Sequence, residues 1–352
     1  MKYVVGIDVS KNKLDVVWLR DTGALKVKTK VISNTPKGHQ ALSQWLVKNT
    51  HDVAQDIRVV MEATSIYHEA LAYYLHEVGF EVCVVNPAQI KSYANSLGTT
   101  HKTDKKDGLI IARFGATQSV DLWQPEPAEI RELKALLARL ESLEKDIQRE
   151  HNRLEKSTFG QSSTLVIDSI QKIITELNKE KKRLEAQIDD HINRHPKLRK
   201  DRTLLESIPG IGPVLSRTML SVIHSRSFQS ASQLAAFLGV IPKIVESGVF
   251  KGRSAMTKQG PGHIRAKLYM AAISASRYNP QVKAQKQRLL ANGKNKMQAL
   301  GAAMRKLVHL CFGVIKQQTE YNPQANRWMA CGCIGKMVST TSLEQFFTKF
   351  SP

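Results

Sequence analysis

From Glu129 to Pro196 the chain is charge-rich and spaces its leucines and isoleucines by three and four residues. Leu133, Leu136, Leu140, Leu143, Ile147 and Leu154 form one series, interrupted where Glu150 takes a core position, and Ile170, Ile173, Leu177, Leu184, Ile188 and His191 form a second. That period is helical, and an apolar stripe this long has to be covered by another helix along its length. Ser157-Thr158-Phe159-Gly160-Gln161-Ser162-Ser163, between the two series, reads as a turn. The segment predicts a long antiparallel coiled-coil hairpin over 126–198, a spacer or dimerisation arm ended near Pro196, and it divides the rest of the chain in two.

The part before it, 1–125, has the pattern of an α/β domain. Val4-Val5-Gly6-Ile7-Asp8-Val9-Ser10 is a β-branched run with one acid, followed by the basic turn Lys11-Asn12-Lys13 and the return Leu14 to Leu19. Asp21-Thr22-Gly23 turns the chain into a third alternating strand, Lys26 to Ile32, and Asn34-Thr35-Pro36-Lys37-Gly38 breaks the pattern before a helix from His39 to Lys48. Ile57 to Glu62 reads as a buried strand ending on an acid. Tyr67 to Val78 predicts an amphipathic helix with Gly79 near its C-terminal cap, and Phe80 to Val85 the next strand. This order predicts a right-handed crossover and a sheet mixing antiparallel with parallel pairs, whose sites gather at the carboxyl ends of the strands. After a helix over Ala88 to Leu97, Asp104 and Asp107 are spaced to share one face at the positive end of the helix that continues through Leu109 to Phe114.

Each acid has two readings. Asp8 caps a turn or pairs with Lys11 or Lys13, and Asp104 and Asp107 cap a helix. Alternatively the four carboxylates Asp8, Glu62, Asp104 and Asp107 converge, and a buried carboxylate is then compensated by a divalent cation of the kind that phosphoryl transfer uses.

The part after the hairpin, 199–320, is mainly helical. Leu204 to Leu215 contains Ile208-Pro209-Gly210-Ile211-Gly212, the form of a helix-hairpin-helix, in which Gly210 and Gly212 allow a tight turn whose N–H groups can face a phosphate; an unliganded helical hairpin is the other reading. Phe228 to Leu238 predicts a short helix, and Gly239 to Ser254 a Gly-rich loop or ribbon. Helices follow over His263 to Arg277 and Met297 to Gln317, then a tail over 321–352. Between Lys243 and Lys316 the only acid is Glu246, among basic residues that include Lys243, Lys251, Arg253, Lys258 and Arg265. Such a run is a solvated face or a phosphate-binding surface. Ser247, between Glu246 and Gly248, is a turn residue or, with a field to stabilise its alkoxide, a nucleophile.

The formal charge of +21 favours a polyanionic partner. No apolar run approaches the roughly 20 residues of a membrane span, and the N-terminus enters a strand at once, so nucleic acid in the cytoplasm is the expectation. The four cysteines, Cys83, Cys311, Cys331 and Cys333, read as reduced thiols; Cys331-Gly332-Cys333 has no second pair or nearby His to complete a zinc site.

Gly6-Ile7-Asp8-Val9-Ser10-Lys11, Met61-Glu62-Ala63-Thr64-Ser65-Ile66-Tyr67-His68, Val85-Asn86-Pro87-Ala88-Gln89 and Lys102-Thr103-Asp104-Lys105-Lys106-Asp107 together resemble the DEDD transposases of the IS110 and IS1111 insertion sequences, relatives of the Piv-type DNA invertases. Ile208 to Gly212, Leu238 to Pro242 through Ser247-Gly248, and Thr257-Lys258-Gln259-Gly260 resemble that family's second domain. The resemblance implies a RuvC-like (ribonuclease H-like) N-terminal domain, a coiled coil and a serine-bearing C-terminal domain. It implies Mg²⁺ on Asp8, Glu62, Asp104 and Asp107, attack by Ser247 on DNA to give a phosphoserine, and a homo-oligomer, dimer or tetramer, with active sites shared between protomers. It also implies a structured bridge RNA pairing with target and donor DNA, while protein cations such as Lys102 and Lys105 hold backbone. Ser65 stands where the family usually has Gly, and Gly108 where it usually has Ala. The loop after Pro242 varies in the family, so Ser254 is the alternative to Ser247. Three other activities fit part of the pattern. A RuvC-like junction resolvase or structure-selective nuclease would use the same acids to activate water. A non-catalytic scaffold would use them as caps. An actin-like ATPase lacks its further phosphate and adenine loops here.

Overall fold

The computed structural model describes residues 3–21, 23, 26–98, 104–243, 246–247, 250–251 and 255–324; the side chains of 104–106, 246–247, 250–251 and 255 lie outside that description. Backbone contacts divide the chain into two compact units, Met1–Pro125 and Glu126–Pro352. No described helix is long and apolar enough to cross a membrane.

In the first unit β1 (Tyr3–Val9), β2 (Lys13–Asp21) and β3 (Lys26–Ser33) form an antiparallel meander, followed by α1 (Pro36–Thr50), β4 (Ile57–Glu62), α2 (Glu69–Glu77), β5 (Glu81–Val85), α3 (Pro87–Ser96) and α4 (Asp104–Thr117). The sheet order is β3-β2-β1-β4-β5, with β4 parallel to both β1 and β5. It is the mixed sheet that the strand-helix-strand order predicts. One face packs Val5, Ile7, Val9, Val59 and Met61 against Leu42 and Leu46 of α1 and Leu71 and Leu75 of α2. The other packs Val60, Cys83 and Val85 against Ile90 of α3 and Ile110 and Ile111 of α4. Covering on both faces is why β4 and β5 read as continuous apolar runs rather than alternating ones. β3 is the edge, and its mostly exposed Lys26, Lys28 and Lys30 discourage pairing with another chain.

The chain enters α1 and α3 on capping residues followed by proline: Thr35 Oγ1 accepts from Gly38 N, and Asn86 Oδ1 from Ala88 N. α2 begins two residues later than its apolar spacing predicts. Tyr67 and His68 are held in turns, with Tyr67 N donating to Thr64 O, and Ser65 takes a left-handed φ of 48°.

In the second unit α5 (Ala128–Phe159) and α6 (Thr164–Arg194) form the long hairpin. It is antiparallel: Lys181 pairs with Glu144 at 3.1 Å, and His191 Nε2 donates to Glu129 O at 2.8 Å. The turn is shorter than the sequence predicts, because α5 runs on to Phe159. Glu150 is buried as its place in the stripe requires, and Arg153 one turn on pairs with it. The lower hairpin residues Leu133, Leu140, Leu184, Ile188 and Ile192 share one core with the helices that follow, so the arm is rooted in this unit.

Those helices are α7 (Pro196–Glu206), α8 (Pro213–Ile223), α9 (Ala231–Phe237), α10 (Gly262–Tyr278), α11 (Pro280–Ala291) and α12 (Lys296–Gln317). α12 buries Leu300, Met304, Leu307 and Val308 among α7, α9, α10 and α11. α11 is absent from the sequence reading because its apolar stripe is weak and only Val282 is fully covered; Asn279 Oδ1 starts it by accepting from Gln281 N and Val282 N. Between α9 and α10 the Gly-rich stretch is a ribbon: β6 (Pro242–Lys243) pairs with β9 (Ala255–Met256), and β7 (Glu246–Ser247) with β8 (Phe250–Lys251). Cys331 and Cys333 lie outside the described residues.

Candidate functional site

In the first unit strand register sets Asp8 and Glu62 at the ends of neighbouring strands. Ile7 is paired with Met61 across the parallel β1–β4 ladder, and both side chains lie in the core beneath α1 and α2. Asp8 and Glu62, the next residues, therefore point to the opposite face, at the carboxyl ends of neighbouring strands. That face is the one on which α4 lies. A Cβ on Gly6 would stand 2.3 Å from Gly108 O and 2.4 Å from Ala112 N, so only glycine lets the helix rest on β1. A Cβ on Gly108 would meet Val17 Cγ2 at 2.7 Å and Asp15 O at 3.3 Å. Gly108 is thus matched to Val17 on β2.

Asp15 lies directly opposite Asp8 in the antiparallel β1–β2 register, so α4 begins at the end of the sheet where Asp8 stands. Asp107, next to Gly108, and Asp104, the first residue of α4, belong to that first turn; the side chain of Asp104 lies outside the described residues, as do all of Lys102 and the side chain of Lys105.

The sequence reading passed over two residues here. Asp15 is 7% exposed, shares the α4 face with Asp8, and pairs with Lys13 at 3.1 Å. The sequence shows it only as an acid within an apolar strand; its level opposite Asp8 comes from the register. Asn34, read only as a break in pattern, ties three segments together. Its Nδ2 donates to Ser10 O (2.9 Å) and Tyr67 O (3.0 Å), and its Oδ1 accepts from His39 Nε2 (2.8 Å). The loops that follow Asp8 and Glu62 are held by this one amide. Burial lowers the His39 pKa from its ordinary value.

Asp8, Glu62 and Asp107 carry carboxylate oxygens, the ligand type a hard divalent cation takes. Among the described residues no three His, Cys, Asp or Glu side chains form a group able to hold one ion.

In the second unit Ser247 lies on the outer rung of the ribbon, paired with Phe250; its side chain and that of Lys251 lie outside the described residues, as do Arg253 and Ser254 entirely. The ribbon's base is tightly built. A Cβ on Gly239 (φ 68°) would stand 2.2 Å from Gln259 O, and one on Gly260 (φ 116°) 2.2 Å from Phe237 O. Arg265 Nη1 donates to Gly260 O (2.8 Å) and Leu238 O (3.4 Å), so this cation clamps the two legs of the ribbon. Lys243 and Lys258 beside it are exposed. At the turn between α7 and α8, Gly210 (φ 101°) is required by Ala275, whose Cβ lies 2.6 Å from where its own would be, while a Cβ on Gly212 would meet nothing within 4 Å. Of the two glycines, Gly212 is the open one.

Family patterns account for both units. The DEDD transposase pattern of the IS110 type matches residues 5–157, and that of the IS116/IS110/IS902 transposases matches 202–287. The pilin gene-inverting proteins of Moraxella bovis and Moraxella lacunata are each 32% identical over 326 residues, covering 91% of this chain and 98% of theirs. A 43.6 kDa protein of insertion element IS110 from Streptomyces coelicolor is 25% identical over 158 residues, 45% of this chain and 38% of its own length. Among solved structures, Thermus thermophilus RuvC aligns with 34% of this chain and 99% of its own at 18% identity and a TM-score of 0.25. The chain belongs to the IS110 family of transposases, and it is a DNA recombinase of that family.

Proposed function

We propose that this recombinase cuts and rejoins DNA through a serine of the C-terminal unit, assisted by a carboxylate-held metal in the N-terminal unit and guided by a structured RNA of its insertion sequence. The observation that carries the reading is the placement of Asp8 and Glu62 side by side at the strand ends, on the face where α4 begins with Asp104 and Asp107. Those four residues would hold Mg²⁺, which when bound neutralises charge on a phosphate under attack. Ser247 Oγ bonds to phosphorus as the bond from phosphorus to one deoxyribose oxygen breaks; the serine proton passes to solvent, and the departing oxygen takes one up. A hydroxyl of a second strand then attacks the phosphoserine, losing its proton as the serine oxygen regains one, and the strands are rejoined.

The rigid ribbon base supports this role, since a nucleophile gains from being held in place. Lys243, Lys251, Arg253 and Lys258, with Lys102 and Lys105 in the first unit, hold nucleic-acid backbone, and Gly212 faces a phosphate in a helix-hairpin-helix whose turn Gly210 packs against Ala275. Residues 1–125 form the RuvC-like metal domain, 126–198 the coiled-coil arm of a dimer or tetramer, 199–320 the serine domain and 321–352 a tail. The breadth of the basic surface and its poverty in acids support base pairing by RNA, rather than side-chain readout, as the source of sequence specificity. Acting on DNA, the protein works in the cytoplasm.

Incubation with substrate DNA and Mg²⁺, then denaturing electrophoresis, tests the chemistry. The native chain should yield a covalent protein–DNA adduct, and Ser247→Ala none, with DNA binding retained. An adduct persisting in Ser247→Ala moves the nucleophile to Ser254 or elsewhere. Free strand ends without any adduct, in the native chain, would establish water as the nucleophile and the resolvase-like reading.

A further inference from the structure

Where the loops after β1, β3 and β4 meet, the first unit opens a cleft of about 410 Å³, within the roughly 300–1,000 Å³ of small-ligand sites. Its walls are fixed by the Asn34 amide through Ser10 O, Tyr67 O and the His39 ring. Its lining includes the rings of Tyr67 and Tyr74, with His39 buried behind them, together with Ile66, the cation Lys11 and no acid. The His39 and Tyr74 rings pack 6.0 Å apart, and the Tyr74 hydroxyl is occupied with Ser43 Oγ at 3.1 Å. Ile66 and Tyr67 are 68% and 37% exposed, although their loop is pinned by Asn34. Large apolar side chains held still and left open to solvent on a cleft mark a surface that something else covers.

The lining specifies what that is. Ring faces and an aliphatic side chain take a flat heterocycle, one cation with no carboxylate accepts the phosphate attached to it, and such stacking is indifferent to which base it meets. Lys11 follows Asp8 by three residues and Ile66 follows Glu62 by four, so the cleft opens at the same strand ends, on the α1 and α2 side of the sheet, and a strand lying at those acids reaches it by crossing the ends of β1 and β4. We infer that the cleft receives an unstacked nucleobase of the DNA strand whose backbone lies at Asp8 and Glu62, with Tyr67 as its stacking platform and Lys11 on the adjoining phosphate. This rests on the proposed placement of DNA at those acids, but it assigns the cleft a role that strand transfer itself does not require. Held there, a base would fix the register of the strand against the carboxylates.

The test is photocrosslinking of the full-length chain to a single-stranded oligonucleotide carrying 5-iododeoxyuridine, in EDTA so that no strand is cut, with peptide mapping of the product. The expected result is a crosslink in the peptide containing Tyr67, reduced roughly ten-fold or more in Tyr67→Ala, as loss of one stacked base predicts, and retained in Tyr67→Phe. Unchanged thermal midpoints for both variants exclude misfolding as the cause. Crosslinks confined to peptides of the second unit would overturn the cleft while leaving the DNA reading intact. Equal yields from Tyr67→Ala and the native chain would also overturn it, reducing the site to a backbone contact at Lys11. An oligonucleotide that fails to bind at all would sink both readings.

Discussion

Burial holds the His39 pKa below its ordinary 6.5, and the sign of the consequence follows. The unfolded chain takes up that proton before the folded chain does, so His39 costs no stability above its unfolded value and removes stability as pH falls through it. His39→Gln keeps an N–H donor for Asn34 and removes the titration. Between about pH 7.5 and about pH 5.5 the urea midpoint of the native chain should therefore fall further than that of His39→Gln; parallel curves would show that His39 is protonated as readily in the folded chain. Ser65 sets a second local condition. Its left-handed φ of 48° means that the turn after Glu62 needs a conformation that side chains resist. Neither fact was legible from residue type. A lone histidine in a helical stretch and a serine after a strand carry no mark of burial or of φ.

At the scale of elements, what sets the start of α4 against the strand that carries Asp8 is a glycine, Gly6. Gly6→Ala would drive a Cβ to within 2.3 Å of Gly108 O, and since backbone cannot yield as a side chain can, α4 must lift. The expected cost is about 1–3 kcal/mol of stability, with loss of adduct formation while DNA affinity persists through the second unit. Thermal denaturation alongside the adduct assay checks this, and full activity in Gly6→Ala would mean that α4 need not sit where it does. In the second unit the joint between arm and helices depends on charge. Asp189 of α6 accepts from Arg217 Nε and Nη2 at 2.9 and 2.5 Å and from Arg202 Nη1 at 3.0 Å. Arg217 is 9% exposed, so this pairing ties α6 to α8 through a largely desolvated guanidinium, whereas exposed pairs such as Arg194–Asp190 add little. The hairpin was legible because its period persists for many turns. The short α11 was not, since one covered side chain leaves no stripe to detect.

For the whole molecule, the charge of +21 predicts how it meets DNA. Affinity for duplex of arbitrary sequence should fall about a thousand-fold or more between about 50 and about 200 mM salt, as displaced counterions return to the DNA. Lys243→Ala or Lys258→Ala should each lower the slope of log affinity against log salt by about one. Fluorescence anisotropy over a salt series measures both, and a flat dependence would make the basic run a solvated face. The places of Asp8 and Glu62 near strand ends could be read from sequence because a β-branched run marks a strand, and an acid near its end is conspicuous. Asp15 could not, since whether an acid on the return strand shares a face with Asp8 depends on register, which the hairpin's hydrogen bonds decide. The sequence by itself determined the kinds of element, the mixed sheet, the long hairpin and the polyanionic partner, because periodicity and net charge are properties of the chain read in order. Only the tertiary structure decided that Arg265 clamps carbonyls, that Gly210 serves packing while Gly212 stands open, and that Asn34 joins three loops around a cleft. Each of those depends on groups far apart in sequence meeting at a few ångströms, and no local pattern encodes a distance.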